Sequence, residues 1–268
     1  MVREVQDGAL YADASIEGAI LERGLADESV WSISPTSGNP SGRGPTKVIA
    51  GTAGRRWRLK RLRRGGVVGA LWRDQFPSAR RPFEVLRATL TAAARGVPTA
   101  RPIALLLRRG AGGLVRGFFA VEELEGYADL ATRTLRHAIG EVEIGATMAT
   151  IRSMHDHGVV HPDLNLGNVM LRGDAAQRTE VSLIDFDRAR FLSGPAPFAV
   201  RQAAVRRLER SCAKITGSPG PMGPGSEDLW YGLYAAGDGA LAARFGRGRP
   251  VGRWVLALHR AGWKRTRS

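Results

Sequence analysis

The stretch HPDLNLGN, residues 161–168, sets one histidine, one carboxylate and two amides directly behind the apolar pair Val159-Val160. Asp, Asn, Pro and Gly are common turn residues, so the plain reading is a decorated turn with an Asp N-cap. A second reading is chemical. Asp185 stands 22 residues after Asp163, in LIDFD, and it too follows apolar β-like sequence. Both carboxyl groups could therefore emerge at strand ends, with Asn168 five residues beyond the first. Magnesium takes oxygen ligands and keeps several waters, so one carboxylate, one amide and phosphate oxygens suffice to hold it. A carboxylate that does not bind the metal can accept the proton of an attacking hydroxyl.

The pattern H-x-D-x-x-x-x-N, followed by a hydrophobic residue and D-F, resembles the way protein kinases and their relatives divide this work. Here it reads His161, Asp163 and Asn168, then Asp185 and Phe186. Such a site needs phosphate handling upstream. Gly38, Gly42 and Gly44 in GNPSGRGPT could let backbone N–H groups approach a triphosphate. Lys60 is the one lysine of WRLKRL, and Glu84 is the one acid of the helical stretch PFEVLRATL, where it could hold that lysine. Their plain readings are a solvated strand position and a surface helix charge. The connector AVEELEGYADL, 120–130, would offer backbone groups of Glu122 to Leu124 to an adenine, or is an ordinary loop. His155, His157 and His161 lack zinc spacing, so no metal–histidine site is expected. His161 should brace the loop, and His155 should cap or pack a helix end.

These residues need elements to carry them. Residues 1–30 are acidic and modestly amphipathic and suggest a helix or two. WRLKRL, 57–62, alternates as a half-buried strand does. PFEVLRATLTAAARG, 82–96, reads as a helix with Phe83, Leu86 and Leu90 toward a sheet and Gly96 as its stop. VPTARPIALLL and LVRGFFAVEEL form a strand pair around RRGAGG. A helical region starts at EGYADLATRTL, and the clearest helix lies within 136–158, with Ile144, Met148 and Ile151 in register and Gly158 at its end. VVHPDLNLGNVML and VSLIDFD are strands flanking a loop. Residues 214–226 are a Gly/Pro/Ser loop, and GRWVLALHRAGWKRTRS is expected to be a last core helix with a basic tail.

The 268 residues suit one large domain or two lobes, and 43% hydrophobic content is ample for a core. The single cysteine, Cys212, cannot pair within the chain and reads as a small buried hydrophobe. No secretory signal or bilayer-spanning run is visible, so a soluble or peripheral protein is expected. The net charge of +15 is unevenly spread. Residues 1–29 hold seven acids and two arginines, a net of −5, whereas residues 43–116 hold eighteen Lys/Arg and two acids, a net of +16. Such a region favours nucleotide phosphates, nucleic acid or an anionic lipid surface, or is a solvated basic face.

WRLKRLRRGGVVGALWRD, RPFEVLRATLTAAARGVPTARP, IRSMHDHGVVHPDLNLGNVML and VSLIDFDRAR, in that order, resemble the bacterial lipopolysaccharide kinase family, nearest to its members acting on 3-deoxy-D-manno-octulosonic acid (Kdo). RRGG, the D-L-N-x-x-N loop, I-D-F-D-R and the segment RRLERSCAK carry the likeness, which runs from about Gly38 to Lys214. It implies an α+β, bilobal protein-kinase-like fold: a small N-terminal β-sheet lobe with one main helix and a mainly helical C-terminal lobe. The divisions would be an acidic extension over 1–30, a nucleotide-binding lobe over 31–121 and a catalytic lobe over 122–268. The implied cofactors are ATP and magnesium. The implied reaction is phosphorylation of a Kdo hydroxyl on the lipid A inner core, at the cytoplasmic face of the inner membrane, by a peripheral protein. Asp163 becomes the base, Asn168 and Asp185 the magnesium ligands and Lys60 the phosphate contact. Glu84, Gly42, Gly44, Glu122 and Leu124 surround the nucleotide, and His161, Asn165, Asp187 and Arg188 support the site. Arg63 and Arg64 become candidates near the acceptor or the loop. The chain departs from the family pattern where Lys60 replaces a common arginine, and where the stretch before RRLERS lacks the usual Trp and Asn.

Other readings stay open on the residues alone. One is a kinase-like phosphotransferase for another small molecule or core sugar, such as a heptose or an aminoglycoside; another is a RIO-like serine kinase. A third is a basic pseudokinase that binds without chemistry, against which the intact set Lys60, Glu84, Asp163, Asn168 and Asp185 argues. No nucleic-acid motif accompanies the basic face, so no nucleic-acid partner is expected.

Overall fold

Short alternating segments build a sheet from the N-terminal half of the chain. The computed structural model describes residues 1–5, 7–32, 45–63, 74–173, 178–223 and 225–247. Two compact units emerge, the first comprising Met1–Ala94, Pro98–Gly126 and Ile184–Arg188. Its elements are β1 (Val2–Val5), β2 (Gly8–Ala12), α1 (Glu17–Glu22), β3 (Thr46–Ala50), β4 (Arg56–Arg61), α2 (Arg80–Ala94), β5 (Pro102–Arg109) and β6 (Val115–Glu122). The six strands run in the order β1-β2-β5-β6-β4-β3, every neighbouring pair antiparallel.

Side-chain alternation gives this sheet two apolar faces. Trp57 and Leu59 of β4, Ala104 and Leu106 of β5, and Phe118 and Ala120 of β6 share one face with Leu10. Ile20, Leu25 and Trp31 from the N-terminal segment cover that face. The first thirty residues therefore hold the helix their composition suggested, α1, and add two strands and the cover of a sheet. Each such buried side chain contributes about 1.5–3 kcal/mol relative to exposure. Leu105, Leu107 and Phe119 point to the other face and meet Val85 of α2.

The buried stripe of α2 is Pro82, Val85, Ala88, Thr89 and Ala92. Phe83 and Leu90, expected to face the sheet, are exposed instead, at 40% and 49%. The helix is turned by about one residue, because small Ala88 and Ala92 admit closer packing than bulky residues would. Phe83 rests on Tyr11, with ring centroids 5.3 Å apart, and Leu86 remains against the sheet cluster.

The second unit comprises Arg95–Val97, Tyr127–Leu183 and Ala189–Ser268. It runs β7 (Ala128–Asp129), α3 (Leu130–Leu135), α4 (Glu141–Asp156), β8 (Val159–Val160), β9 (Val169–Arg172), β10 (Glu180–Leu183), β11 (Arg190–Phe191), α5 (Phe198–Thr216), α6 (Glu227–Tyr234) and α7 (Gly239–Arg247). Asp129 caps α3 by accepting from the Thr132 N–H at 2.7 Å. Glu143 accepts from the Gly140 N–H at 2.9 Å and so closes the start of α4. Ile144, Met148 and Ile151 are fully buried along α4, in the expected register. The chain leaves α4 at Gly158, whose φ of +68° is open to glycine and rare for other residues. From there β8 delivers HPDLNLGN, pairing with β11, while β9 lies between β7 and β10.

His155 is a core residue. Its Nδ1 lies 2.7 Å from the Tyr234 hydroxyl, and burial pulls its pKa down to about 3. Cys212 is buried too, with Sγ donating to the Gly220 carbonyl at 3.1 Å. The segment 252–268, expected to be a last helix with a basic tail, lies outside the described residues. Among those described, no helix is long and apolar enough to cross a membrane.

Candidate active site

The loop after β8 is anchored by its apolar residues and presents its polar ones. Leu164 and Leu166 are fully buried and His161 nearly so, while the Asp163 side chain is 67% exposed. The Asp163 carbonyl accepts two amide hydrogen bonds, from Asn165 Nδ2 and from Asn168 Nδ2, each at 2.9 Å. Asn165 also accepts from the Gly167 N–H at 2.9 Å, and its own carbonyl takes the Asn168 N–H at 3.0 Å. The Asn165 of the D-L-N sequence thus holds the turn that aims Asp163. With its amide nitrogen committed, Asn168 keeps Oδ1 available as an oxygen ligand.

Two further residues reach this loop from α5, and sequence reasoning assigned neither a role. Ser211 accepts from the Leu166 N–H at 3.1 Å, and Arg207 Nη1 lies 3.4 Å from Asp163 Oδ1. Their spacing of four residues puts them on one side of the helix. That spacing inside RRLERS was the available signal.

In the first unit, Lys60 sits on the α2 side of the sheet. Its Nζ lies 3.2 Å from Asp185 Oδ1 and 5.8 Å from the centre of the Phe119 ring. The partner expected from the sequence was Glu84, and the structure differs. Glu84 pairs with Arg80 at 2.9 Å and Arg81 at 3.9 Å, one turn or less away on its own helix. Local arginines take Glu84 before a lysine on another element can. Asp185 is exposed and Phe186 buried, so the IDF segment is pinned by its ring and offers its carboxylate. Asp185 and Arg188 have φ of +67° and +62°. Left-handed backbone at two non-glycine residues so close together costs energy and is typical of functional segments. Asp187 accepts from Arg81 at 2.6 Å. Burial raises the Asp187 pKa, with the nearby Arg81 opposing and Asp185 adding to the rise.

The expected adenine connector is partly spent. The Glu122 and Glu123 N–H groups donate to the Arg101 and Arg56 carbonyls at 2.8 and 2.9 Å. Their carboxylates pair with Arg55 and Arg58, and Glu125 pairs with Arg56 at 3.0 Å. Leu124 makes no backbone hydrogen bond among the described residues, which leaves it as the connector position with a free main chain. Gly38, Gly42, Gly44 and Arg64 lie outside the described residues, and Arg63 pairs with Asp74 at 3.6 Å.

The Asp185 carboxylate is exposed, and the Asn168 side chain offers an amide oxygen. Among the described residues there is no group of three or more His, Cys, Asp or Glu that could hold a metal ion.

Comparison with known proteins gives the family. The lipopolysaccharide kinase (Kdo/WaaP) family matches residues 34–219. A 3-deoxy-D-manno-octulosonic acid kinase of Photobacterium profundum is 32% identical over 197 residues, covering 71% of this chain and 79% of the relative. An enzyme of the same name from Vibrio vulnificus is 29% identical over 204 residues, covering 72% and 80%. Among solved structures, WaaP in complex with acyl carrier protein superposes with a TM-score of 0.52 at 19% identity, covering 89% of this chain and 97% of that one. That likeness shows a kinase-like α+β fold. The chain belongs to the lipopolysaccharide kinase (Kdo/WaaP) family and is a phosphotransferase acting on a sugar hydroxyl.

Proposed function

We propose that the protein transfers the γ-phosphoryl group of ATP to a hydroxyl of a Kdo sugar on the lipid A inner core, or on a similar lipopolysaccharide precursor. The observation that carries this reading is the Asp163 loop, where an exposed carboxylate is held by two amides on its own carbonyl. In the reaction, Asp163 takes the proton of the acceptor hydroxyl. The acceptor oxygen bonds to the γ-phosphorus as the bond to the β-γ bridging oxygen breaks, and ADP leaves. Lys60 meets the nucleotide phosphates, and Leu124 the adenine. Asn168 and Asp185 are the residues that would hold magnesium, which supplies charge neutralisation at the phosphates. Positioning and electrostatic stabilisation carry most of the barrier reduction. Work on a lipid-linked sugar assigns the protein to the cytoplasmic face of the inner membrane as a peripheral protein, where the basic region 43–116 would meet anionic headgroups.

The test uses labelled ATP and magnesium with Kdo-lipid A, with lipid A lacking Kdo, and with an aminoglycoside. Label is expected in Kdo-lipid A alone. Transfer to either other acceptor, or none to Kdo-lipid A, overturns the assignment.

A further inference from the structure

The phosphoryl chemistry leaves one group of charges beside Asp163 without a task. α5 carries Arg206, Arg207 and Arg210, with Glu209 as its only acid. Glu209 accepts from the Tyr231 hydroxyl at 2.7 Å. Arg207, Arg210 and Ser211 stand at spacings of three and four, so they lie along one side of the helix. Ser211 fixes that side as the one facing the loop, since it holds the Leu166 N–H. Arg210 is half-buried, and among the described residues it makes no hydrogen bond or ion pair. Burial, and then the neighbouring Arg207, holds its guanidinium below its ordinary pKa, with Glu209 opposing. Desolvating one guanidinium beside another is unfavourable, and Glu209, which also accepts from Tyr231, offsets it only in part, so an arriving anion is favoured. The Arg207 contact with Asp163 is long and exposed, at 3.4 Å with 45% and 67% of the two side chains accessible, so it is weak and easily exchanged.

We propose that Arg207 and Arg210 form the receptor for the carboxylate of the acceptor sugar and so orient its hydroxyl on Asp163. A planar guanidinium matches a carboxylate through paired N–H donors, which fixes orientation as well as charge. When that carboxylate docks, Arg207 exchanges one carboxylate partner for another, and Asp163 is released to act as base. An acceptor without an acid group leaves Arg207 on Asp163 and Arg210 unmatched. The inference rests on the Kdo reading above, because it requires an acidic sugar.

The experiment measures acceptor kcat/KM for wild type, Arg207→Gln and Arg210→Gln. The acceptors are the Kdo-bearing lipid and the same lipid with its sugar carboxylate converted to a carboxamide. Wild type is expected to lose about 30-fold on the carboxamide, the scale of a lost charge-assisted hydrogen bond. Each variant should lose a similar factor on the natural acceptor, lose no more on the carboxamide, and keep its KM for ATP. The carboxamide comparison needs no variant, so a misfolded Arg210→Gln does not blunt it. Equal use of both acceptors by wild type, or equal losses on both acceptors in the variants, overturns the receptor and leaves the Kdo reading standing. Absence of transfer from wild type to any Kdo acceptor overturns the Kdo reading and the receptor with it.

Discussion

Asp163→Asn should separate chemistry from structure, because the fold uses the Asp163 main chain and the reaction uses its side chain. The turn is held by the Asp163 carbonyl, which receives both Asn165 and Asn168. The carboxylate has one weak partner, Arg207 at 3.4 Å, and is largely exposed. An exposed pair of this kind is worth about 0–1 kcal/mol. For a chain of this size that moves the melting temperature by no more than roughly 2–4 °C. Loss of a general base costs about 100- to 10,000-fold in rate, or about 3–5 kcal/mol of barrier. KM for ATP should stay put. Transfer of labelled phosphate and thermal melting followed by circular dichroism give the two numbers from one preparation. A variant that keeps more than about a tenth of the wild-type kcat, or one that melts about 10 °C lower, would refute the reasoning. The first result would remove Asp163 as base, and the second would make its carboxylate structural.

Three further outcomes are expected. Asn165→Ala removes two hydrogen bonds of 2.9 Å from the turn, about 1–3 kcal/mol of loop order, and should lower kcat roughly 10- to 100-fold with little change in KM for ATP. Unchanged kcat in that variant would show that Asn168 alone holds the turn. Gly158→Ala meets both a φ of +68° and a Cβ only 2.5 Å from the Gly194 carbonyl oxygen, so urea denaturation should show a loss of at least about 2 kcal/mol. Native-like stability would mean that the turn relaxes freely. His155 is neutral when folded, with its pKa pulled down to about 3, but protonates near its ordinary 6.5 when unfolded. Its contribution is complete above pH 6.5 and shrinks as pH falls toward 3, with a slope approaching about 1.4 kcal/mol per pH unit. Urea midpoints from about pH 4 to about pH 7 should show that slope, and His155→Phe should flatten it.

What could be read in advance was local. The β5–β6 pair, the buried register of α4, and the polar loop opening onto Asp163 follow from alternation, helical spacing and turn residues. What escaped depends on partners chosen in three dimensions. Phe83 and Leu90 carry the largest apolar side chains at helical spacing, yet small alanines set the packed face of α2. Glu84 was the obvious acid for Lys60, but Arg80 and Arg81 are nearer, and Lys60 meets Asp185, 125 positions along the chain. Arg207 and Ser211 sit in RRLERSCAK, which carries the family likeness but does not say which element the helix packs on. The strands β1 and β2 are four and five residues long and lie among acids, so nothing local marks them as sheet.

Those strands set a timetable for synthesis. Among the described residues β2 pairs only with β1 and β5, placing Leu10 opposite Leu106, so the hairpin has no sheet to join until about ninety more residues have been made. At about 5–20 residues per second the ribosome takes several seconds to deliver β5. Through that interval Leu10, Ile20, Leu25 and Trp31 lack most of their partner face, which β5 and β6 supply together with β4. The seven acids among residues 1–29 then have a use unconnected with phosphate transfer. Like charge at a net of −5 opposes association of such a segment with its own kind before the receiving strand emerges.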